Sequence, residues 1–305
     1  MVSQPGRQGT GSQRGSKRGR RGDGKPEAGL WIVATPIGNL GDITLRALEV
    51  LRSADRVFCE DTRVTGKLLA ACGIETRPRP YHEHNAARIR PAIIGHLNDG
   101  ETVALIADAG TPLVSDPGFG LVREAVAQGI PVHAAPGASA VLAALVVSGL
   151  PTDRFLFAGF PPSRPTARKK VFAELAGVPA TLVFFESARR LPASLADMAA
   201  VFGDRPAAVA RELTKLHEEV RRDRLPGLAA GYRESGPPRG EVVVVVDRAP
   251  PDAGAATEEE IDALLARALA GGSVRDAVQT VAGATGRPRR EIYRLALALD
   301  RKRPS

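Results

Sequence analysis

The sequence predicts an α/β protein of two αβ domains, the first with a mostly parallel sheet, followed by a small helical unit. Three observations carry the prediction. Strand-like and helix-like patterns alternate from Leu30 onward, as they do where helices cover a parallel sheet. The alternation breaks at residues 149–154 ("GLPTDR") and then resumes. From about residue 256 the period becomes helical.

Taken in order, "LWIVAT" reads as a strand, "TLRALEVLRSA" as a helix and "RVFCED" as a strand. "RVTGKLLAACG" is then a short helix stopped by Gly73. "TVALIAD", "PGFGLVREAVAQG", "IPVHAA" and "ASAVLAALVVSG" continue as strand, helix, strand and helix, completing a first domain over 29–149. In the second domain, 150–249, "FLFAGF", "TLVFFES" and "PAAVAREL" read as strands, with the helix "ARKKVFAELAG" between the first two. "EVVVVVD" holds five consecutive valines, the mark of a strand buried on both faces. Pro-rich "RAPPDAGAAT" reads as a linker.

In the helical unit, 256–305, Ser273 and Asp276 resemble a capping box. Val274, Ala277, Val278 and Val281 form one apolar stripe. Gly283 and Gly286 break the chain, and Pro288 can open a further helix. On that helix Ile292, Leu295, Ala296 and Leu299 share one face, and Arg290, Arg294 and Arg301 the opposite one. The result is helix-turn-helix-like, with a basic ridge that is either an RNA contact or the solvated face of a docking helix.

The 305 residues and 43% hydrophobic content fit globular domains with ordinary cores. The longest apolar runs, such as 138–147, fall short of the ~20 residues of a membrane span, so no membrane partner is expected. Residues 1–29 lack the apolar core of a secretory signal. Cys59 and Cys72 have no C-x-x-C pairing, which fits a reducing cytoplasm without disulfides or zinc. The net charge of +8 is uneven: residues 1–28 and 287–305 each carry seven Lys/Arg against two acids. The rest is nearly neutral. A basic, Gly-rich arm over 1–28, whose composition predicts disorder, suits a polyanion partner, and a solubilising tail equally.

Several tempting motifs fail. "DTRVTGKL" has Asp61 where a phosphate loop needs Gly and Leu68 where it needs Ser or Thr. "TPIGNLGD" is not a dinucleotide fingerprint. "HEH" at 82–84 lacks metal-compatible partners in His96, His133 and His217, so no metal is expected. No serine sits in a G-x-S-x-G elbow. What remains are loops at strand ends: "TPIGNLGD", "EDTR", "DAGTPLVSDPG" and "PGAS" all fall on the carboxyl rim of the first sheet, where open parallel sheets bind ligands. Asp116 and Ser139 there can be helix N-caps or ligand contacts. The rim has few cationic side chains and many Gly and Pro, so it suits a ligand that carries its own positive centre. S-adenosylmethionine is such a ligand.

"ATPIGNLGDIT", "CEDTR", "HEHN", "LIADAGTPLVSDPG", "PGASA", "FFESARRL" and "ARELTKLHEE", in that order, resemble the ribosomal RNA small subunit methyltransferase I family, of the tetrapyrrole-methylase fold class. The likeness spans about 30–246 and the helical C-terminus; the arm before Leu30 departs from the family pattern. It implies a homodimer of two αβ domains with S-adenosylmethionine in a trough between them. It further implies methyl transfer to the ribose 2′-hydroxyl of a cytidine in the decoding region of 16S rRNA in the 30S subunit. Carried over residue by residue, donor contacts fall to Asp108, Ala109, Gly110, Thr111, Pro112, Val114, Ser139 and Ala140, with Ile37 beneath the ligand and Ala210 from the second domain.

Such a displacement depends on alignment and gains from a base or oriented acceptor for the hydroxyl proton. Glu60, Asp61, His84, Glu186, Glu212 and Lys215 are candidates, each also explicable as structural. Glu60 and Asp61 are favoured for orienting the acceptor; Arg63, Arg211 and Lys215 are favoured for phosphate. A tetrapyrrole methyltransferase of the same class is the alternative, and the basic ends and helical appendage argue against it.

Overall fold

The computed structural model describes residues 26–115, 117–250, 258–285 and 287–300. Most of the basic arm, Asp116, the end of the Pro-rich linker, Gly286 and Arg301 lie outside the described residues. Two compact units form: one from 26–35 and 43–137, the other from 36–42 and 138 onward.

The first unit runs β1 (Gly29–Val33), α1 (Leu45–Ser53), β2 (Arg56–Cys59), α2 (Thr62–Ala71), β3 (Arg79–Pro80), α3 (Glu83–Asn98), β4 (Thr102–Ile106), α4 (Phe119–Ala127) and β5 (Val132–Ala135). Its sheet is parallel throughout, in the order β3-β2-β4-β1-β5. The strands alternate strictly between two cores. Trp31, Val33, Val57 and Ile106 meet α1 and α2 on one face, and Leu30, Phe58, Val103 and Leu105 meet α3 and α4 on the other. Burial on both faces is why these strands read as apolar runs. From β1 the chain departs toward β2, and from its neighbour β4 it departs the opposite way toward β5. The gap between β1 and β4 is therefore the topological switch point.

Local chemistry explains the helix ends. The Thr44 hydroxyl accepts the Ala47 N–H at 3.0 Å and starts α1, and Gly73, at φ 65°, follows the end of α2. The helix α3 is not foreshadowed by the alternation, because Pro91 sits inside it and its buried Ile93, Ile94 and Leu97 crowd into one half. The start of α4 is capped by Gly118, at φ 134°.

The second unit contains α5 (Ala140–Ser148), β6 (Phe155–Phe157), α6 (Pro165–Leu175), β7 (Thr181–Ser187), α7 (Leu191–Phe202), β8 (Pro206–Arg211), β9 (Glu219–Arg224), α8 (Leu225–Ser235) and β10 (Glu241–Val246). Its sheet has the order β6-β7-β10-β8-β9, with only β6 and β7 parallel. All five valines of β10 are buried: Val242, Val244 and Val246 under α6–α8, Val243 and Val245 under α5. That covering helix explains a difference in the dividing line. The break at 149–154 would leave α5 with the first domain, yet Val141, Ala144 and Leu145 share a core with Val183, Ala208 and Val243, so the units part after Gly137.

Among the described residues the C-terminal helices are three: α9 (Glu258–Gly271), α10 (Val274–Thr285) and α11 (Arg289–Asp300). They close on one core that includes Ile261, Leu265, Val281, Ile292 and Ala296. The Ser273 hydroxyl accepts the Asp276 N–H at 3.2 Å and donates to its carboxylate at 2.7 Å, so the cap takes the expected place.

Candidate functional site

The loop after β4 stands at the switch point and is fastened from below. Thr35, two residues past β1, donates its N–H to the Gly110 carbonyl at 2.9 Å and accepts the Gly110 N–H at 3.1 Å. The Thr35 hydroxyl, fully buried, donates to the Ala107 carbonyl at 3.2 Å. Asp108 accepts the Asp61 N–H at 3.0 Å, which ties this loop to the end of β2. Between these anchors the backbone turns through left-handed geometry at Gly110 (φ 75°), Leu113 (φ 70°) and Ser115 (φ 67°). For the two non-glycine residues this costs on the order of 1–3 kcal/mol each, and such strain persists where surrounding contacts dictate it. Gly118 closes the loop, and a Cβ there would come 2.9 Å from Leu105 Cδ2. Pro112 is buried, Asp108 and Thr111 half-buried, and Ala109 and Val114 exposed. No cationic side chain lies between 106 and 118.

Beside this loop, Glu60 is exposed and makes no hydrogen bond to a described residue. Asp61 caps α2, accepting the Arg63 N–H at 2.8 Å and the Arg63 guanidinium at 2.6 Å. The guanidinium bond foremost, and then the backbone N–H, hold the Asp61 carboxyl at about 2, below its usual value. A depressed carboxylate pKa stabilises the fold above the ordinary value, and the contribution is lost as pH falls through the folded one. The gap in melting temperature between the wild type and Asp61→Asn should therefore be constant near neutrality and shrink toward pH about 2. A gap that persists there contradicts the pairing. The Arg63 side chain remains 86% exposed despite its partner.

In the second unit, the turn after β8 gathers a separate cluster. Glu212 and Thr214 both adopt positive φ, 52° and 65°. The Glu212 carboxylate accepts from Lys215 Nζ at 2.9 Å and from the Glu241 N–H at 3.0 Å, and Glu241 Oε2 accepts from Lys215 Nζ at 3.0 Å. Burial pulls the Lys215 ammonium down, but the bonds to Glu212 and Glu241 outweigh it and leave the group above its usual value. Held so, Lys215 is a fixed cation at neutral pH and no proton acceptor. Its stem lies over Gly38, where a Cβ would sit 2.4 Å from Lys215 Cγ, and a Cβ at Gly240 would sit 2.3 Å from Glu212 Oε1. Gly38, Gly240 and Glu241 were not singled out by the sequence. Only the glycines in "TPIGNLGD" hinted at the first.

Other candidates separate into used and unused groups. Arg211 is engaged by Glu219 at 3.1 Å and by the Arg239 carbonyl at 3.3 Å. Glu186 is buried, accepting from Arg190 at 2.6 Å. His84 is exposed on the first turn of α3, where Asn85 Oδ1 accepts the His82 N–H at 2.9 Å, so "HEHN" is a helix start. Ser139 stands at the N-cap of α5 but makes no side-chain cap, and Ala140 follows it, half-buried. Ile37 and Ala210 are both buried in the core beneath α5. Arg290 and Arg294 are exposed on α11; Arg301 lies outside the described residues. Among the described residues no His, Cys, Asp or Glu group could hold a metal, and no helix is long and apolar enough to cross a membrane.

Comparison with known proteins adds to this geometry. Residues 29–229 match the family described as Tetrapyrrole (Corrin/Porphyrin) Methylases, and residues 255–300 match the RsmI C-terminal HTH domain. Proteins named ribosomal RNA small subunit methyltransferase I are similar over most of their length. The one from Mesorhizobium japonicum is 52% identical, covering 90% of this chain and 92% of that protein. The one from Micromonospora olivasterospora is 45% identical, covering 93% and 92%, and the one from Xylella fastidiosa 47% identical, covering 87% and 97%. Among solved structures, diphthine synthase has a TM-score of 0.54 at 20% identity, covering 72% of this chain and 89% of that one. The cobalamin biosynthetic enzyme cobalt precorrin-4 methyltransferase scores 0.52 at 18% identity, covering 72% and 94%. At such identities the likeness is one of fold.

Proposed function

We propose, since this chain belongs to the ribosomal RNA small subunit methyltransferase I family, that it methylates the ribose 2′-hydroxyl of a cytidine in the decoding region of 16S rRNA. S-adenosylmethionine is the donor, the 30S subunit the acceptor, and the working form a cytoplasmic homodimer. The observation that carries the reading is the 52% identity over 90% of the chain to a named rRNA methyltransferase.

The residues suit the donor. A sulfonium cation is repelled by Lys and Arg, and 106–118 has neither. The loop offers main-chain groups held open by the Thr35–Gly110 bridge together with the Asp108 carboxylate. Asp108, Ala109, Gly110, Thr111, Pro112 and Val114 would be the donor contacts on this loop. The family resemblance adds Ile37, Ser139, Ala140 and Ala210, and Ser139 keeps a hydroxyl that no cap consumes. When bound, the donor supplies an activated methyl group and its own leaving group, so the chain needs no side-chain nucleophile.

The residues' work is then alignment and proton handling. Asp61 is committed to Arg63, and Lys215 is pinned as a cation between two carboxylates. Of the two carboxylates favoured for orienting the acceptor, Glu60 is thereby the one free to receive the hydroxyl proton. The exposed Arg63 guanidinium contacts phosphate, while Arg211 and Lys215 shape the turn that carries them. Arg290 and Arg294 grip RNA from α11. If they do, changing both to alanine should flatten the salt dependence of RNA binding by roughly 0.7 in log–log slope per phosphate lost. An unchanged slope makes α11 a solvated face.

A labelled-methyl assay with 30S subunits, naked 16S rRNA and a tetrapyrrole as acceptors tests the reading. Label is expected in RNA, strongest in the subunit. Label in the tetrapyrrole alone, or in nothing, overturns it.

A further inference from the structure

At the end of the second sheet where β8 begins, opposite the turn that holds Lys215, lies a cavity of about 780 Å³. Arg205 lines it and is 6% exposed. One end of its guanidinium is spent on the Ala176 carbonyl, and its Cζ lies over the Phe202 ring, 5.2 Å from the centroid. The other donors, Nε and Nη1, are buried with no hydrogen-bond partner. A buried guanidinium with two unmade hydrogen bonds is costly: removing a charge from water is repaid only when its donors are satisfied. Asp247, whose charge acts on Arg205, does not bond it; its Oδ1 accepts the Arg248 N–H at 2.8 Å.

The wall adds further guanidinium groups. Arg248 pairs with Asp153 at 2.6 Å and Arg224 with Asp204 at 2.9 Å, while Arg154 is exposed and has no ion pair among the described residues. Four arginines against three aspartates leave the lining one positive charge in excess. Oxyanions with several acceptor oxygens suit planar guanidinium donors. A net of one charge suits a phosphodiester or a single phosphate better than a polyphosphate.

We propose that this cavity is a phosphoryl-binding site, distinct from the donor loop, with Arg205 as its floor and Arg154 at its mouth. The phosphoryl group comes either from an RNA backbone or from free phosphate. Neither source depends on the proposed methyl transfer.

The test is calorimetric titration of the full chain with inorganic phosphate and, separately, with an oligoribonucleotide lacking terminal phosphates. Saturable binding of at least one probe is expected, weakened at least tenfold in Arg205→Met and about threefold in Arg154→Ala, with donor binding unchanged in both. Oligonucleotide binding that these variants weaken, with no phosphate binding, assigns the site to RNA backbone, and phosphate binding that they weaken, with oligonucleotide binding unchanged, assigns it to the free anion. If Arg205→Met does not fold, which circular dichroism reports, Arg154→Ala decides. No binding of either probe by the wild type, or wild-type affinity in every folded variant, overturns the proposal. Methyl transfer to rRNA, measured in parallel, would be untouched by that failure.

Discussion

Titrated with S-adenosylmethionine, Thr111→Arg is expected to show at least a hundredfold loss of affinity, about 2.7 kcal/mol, with its unfolding transition within about 1 kcal/mol of the wild type. The substitution introduces a permanent cation into a loop whose sequence from 106 to 118 has none. It does so beside Gly110, where the main chain is held by the bridge to Thr35. Thr111 is half-buried on the loop and belongs to none of the hydrophobic cores, so the fold should tolerate the change. Unchanged affinity would move the donor away from this loop.

The largest effect on stability is expected from a pair that plays no part in the chemistry. On α6, Arg168 is 3% exposed, and its Nε donates to Asp197 of α7 at 2.8 Å, with Lys169 adding a contact at 3.4 Å. Asp197→Ala should cost about 3–5 kcal/mol, because it strands the buried guanidinium. The double change Arg168→Met with Asp197→Leu should recover most of that loss, since apolar replacement of a whole buried pair is often neutral. Urea unfolding followed by circular dichroism gives both numbers. A single variant as stable as the wild type would mean that water reaches Arg168.

Much of the fold was legible because burial writes itself into the pattern. The strands of the first sheet are covered on both faces and read as apolar runs, as does the valine run of β10. Other elements hid for physical reasons. Five of the six residues of β9 are charged, because an edge strand need bury little. The start of α8 contains Pro226 and Gly227, residues that ordinarily signal a loop. The apolar run of α5 announced burial, but its lack of a polar face gave no sign of which sheet it covers.

Of the site, the composition of the loop after β4 was readable, including its lack of cations. The contacts that make it a platform were not, because Thr35, Asp61 and Asp108 meet only through strand order. The same holds for Lys215, whose partners Glu241 and Gly38 are remote in sequence. A sequence shows that "RELTK" carries charge. Only the fold shows that its lysine and glutamate neutralise each other.

The most direct test is nucleoside mass spectrometry of 16S rRNA after 30S subunits have been incubated with the protein and a deuterated methyl donor. The account predicts deuterium in 2′-O-methylcytidine, and none when the Thr111→Arg variant replaces the wild type. Deuterium confined to base-methylated nucleosides, or an rRNA free of label while a small-molecule acceptor takes it up, would contradict it.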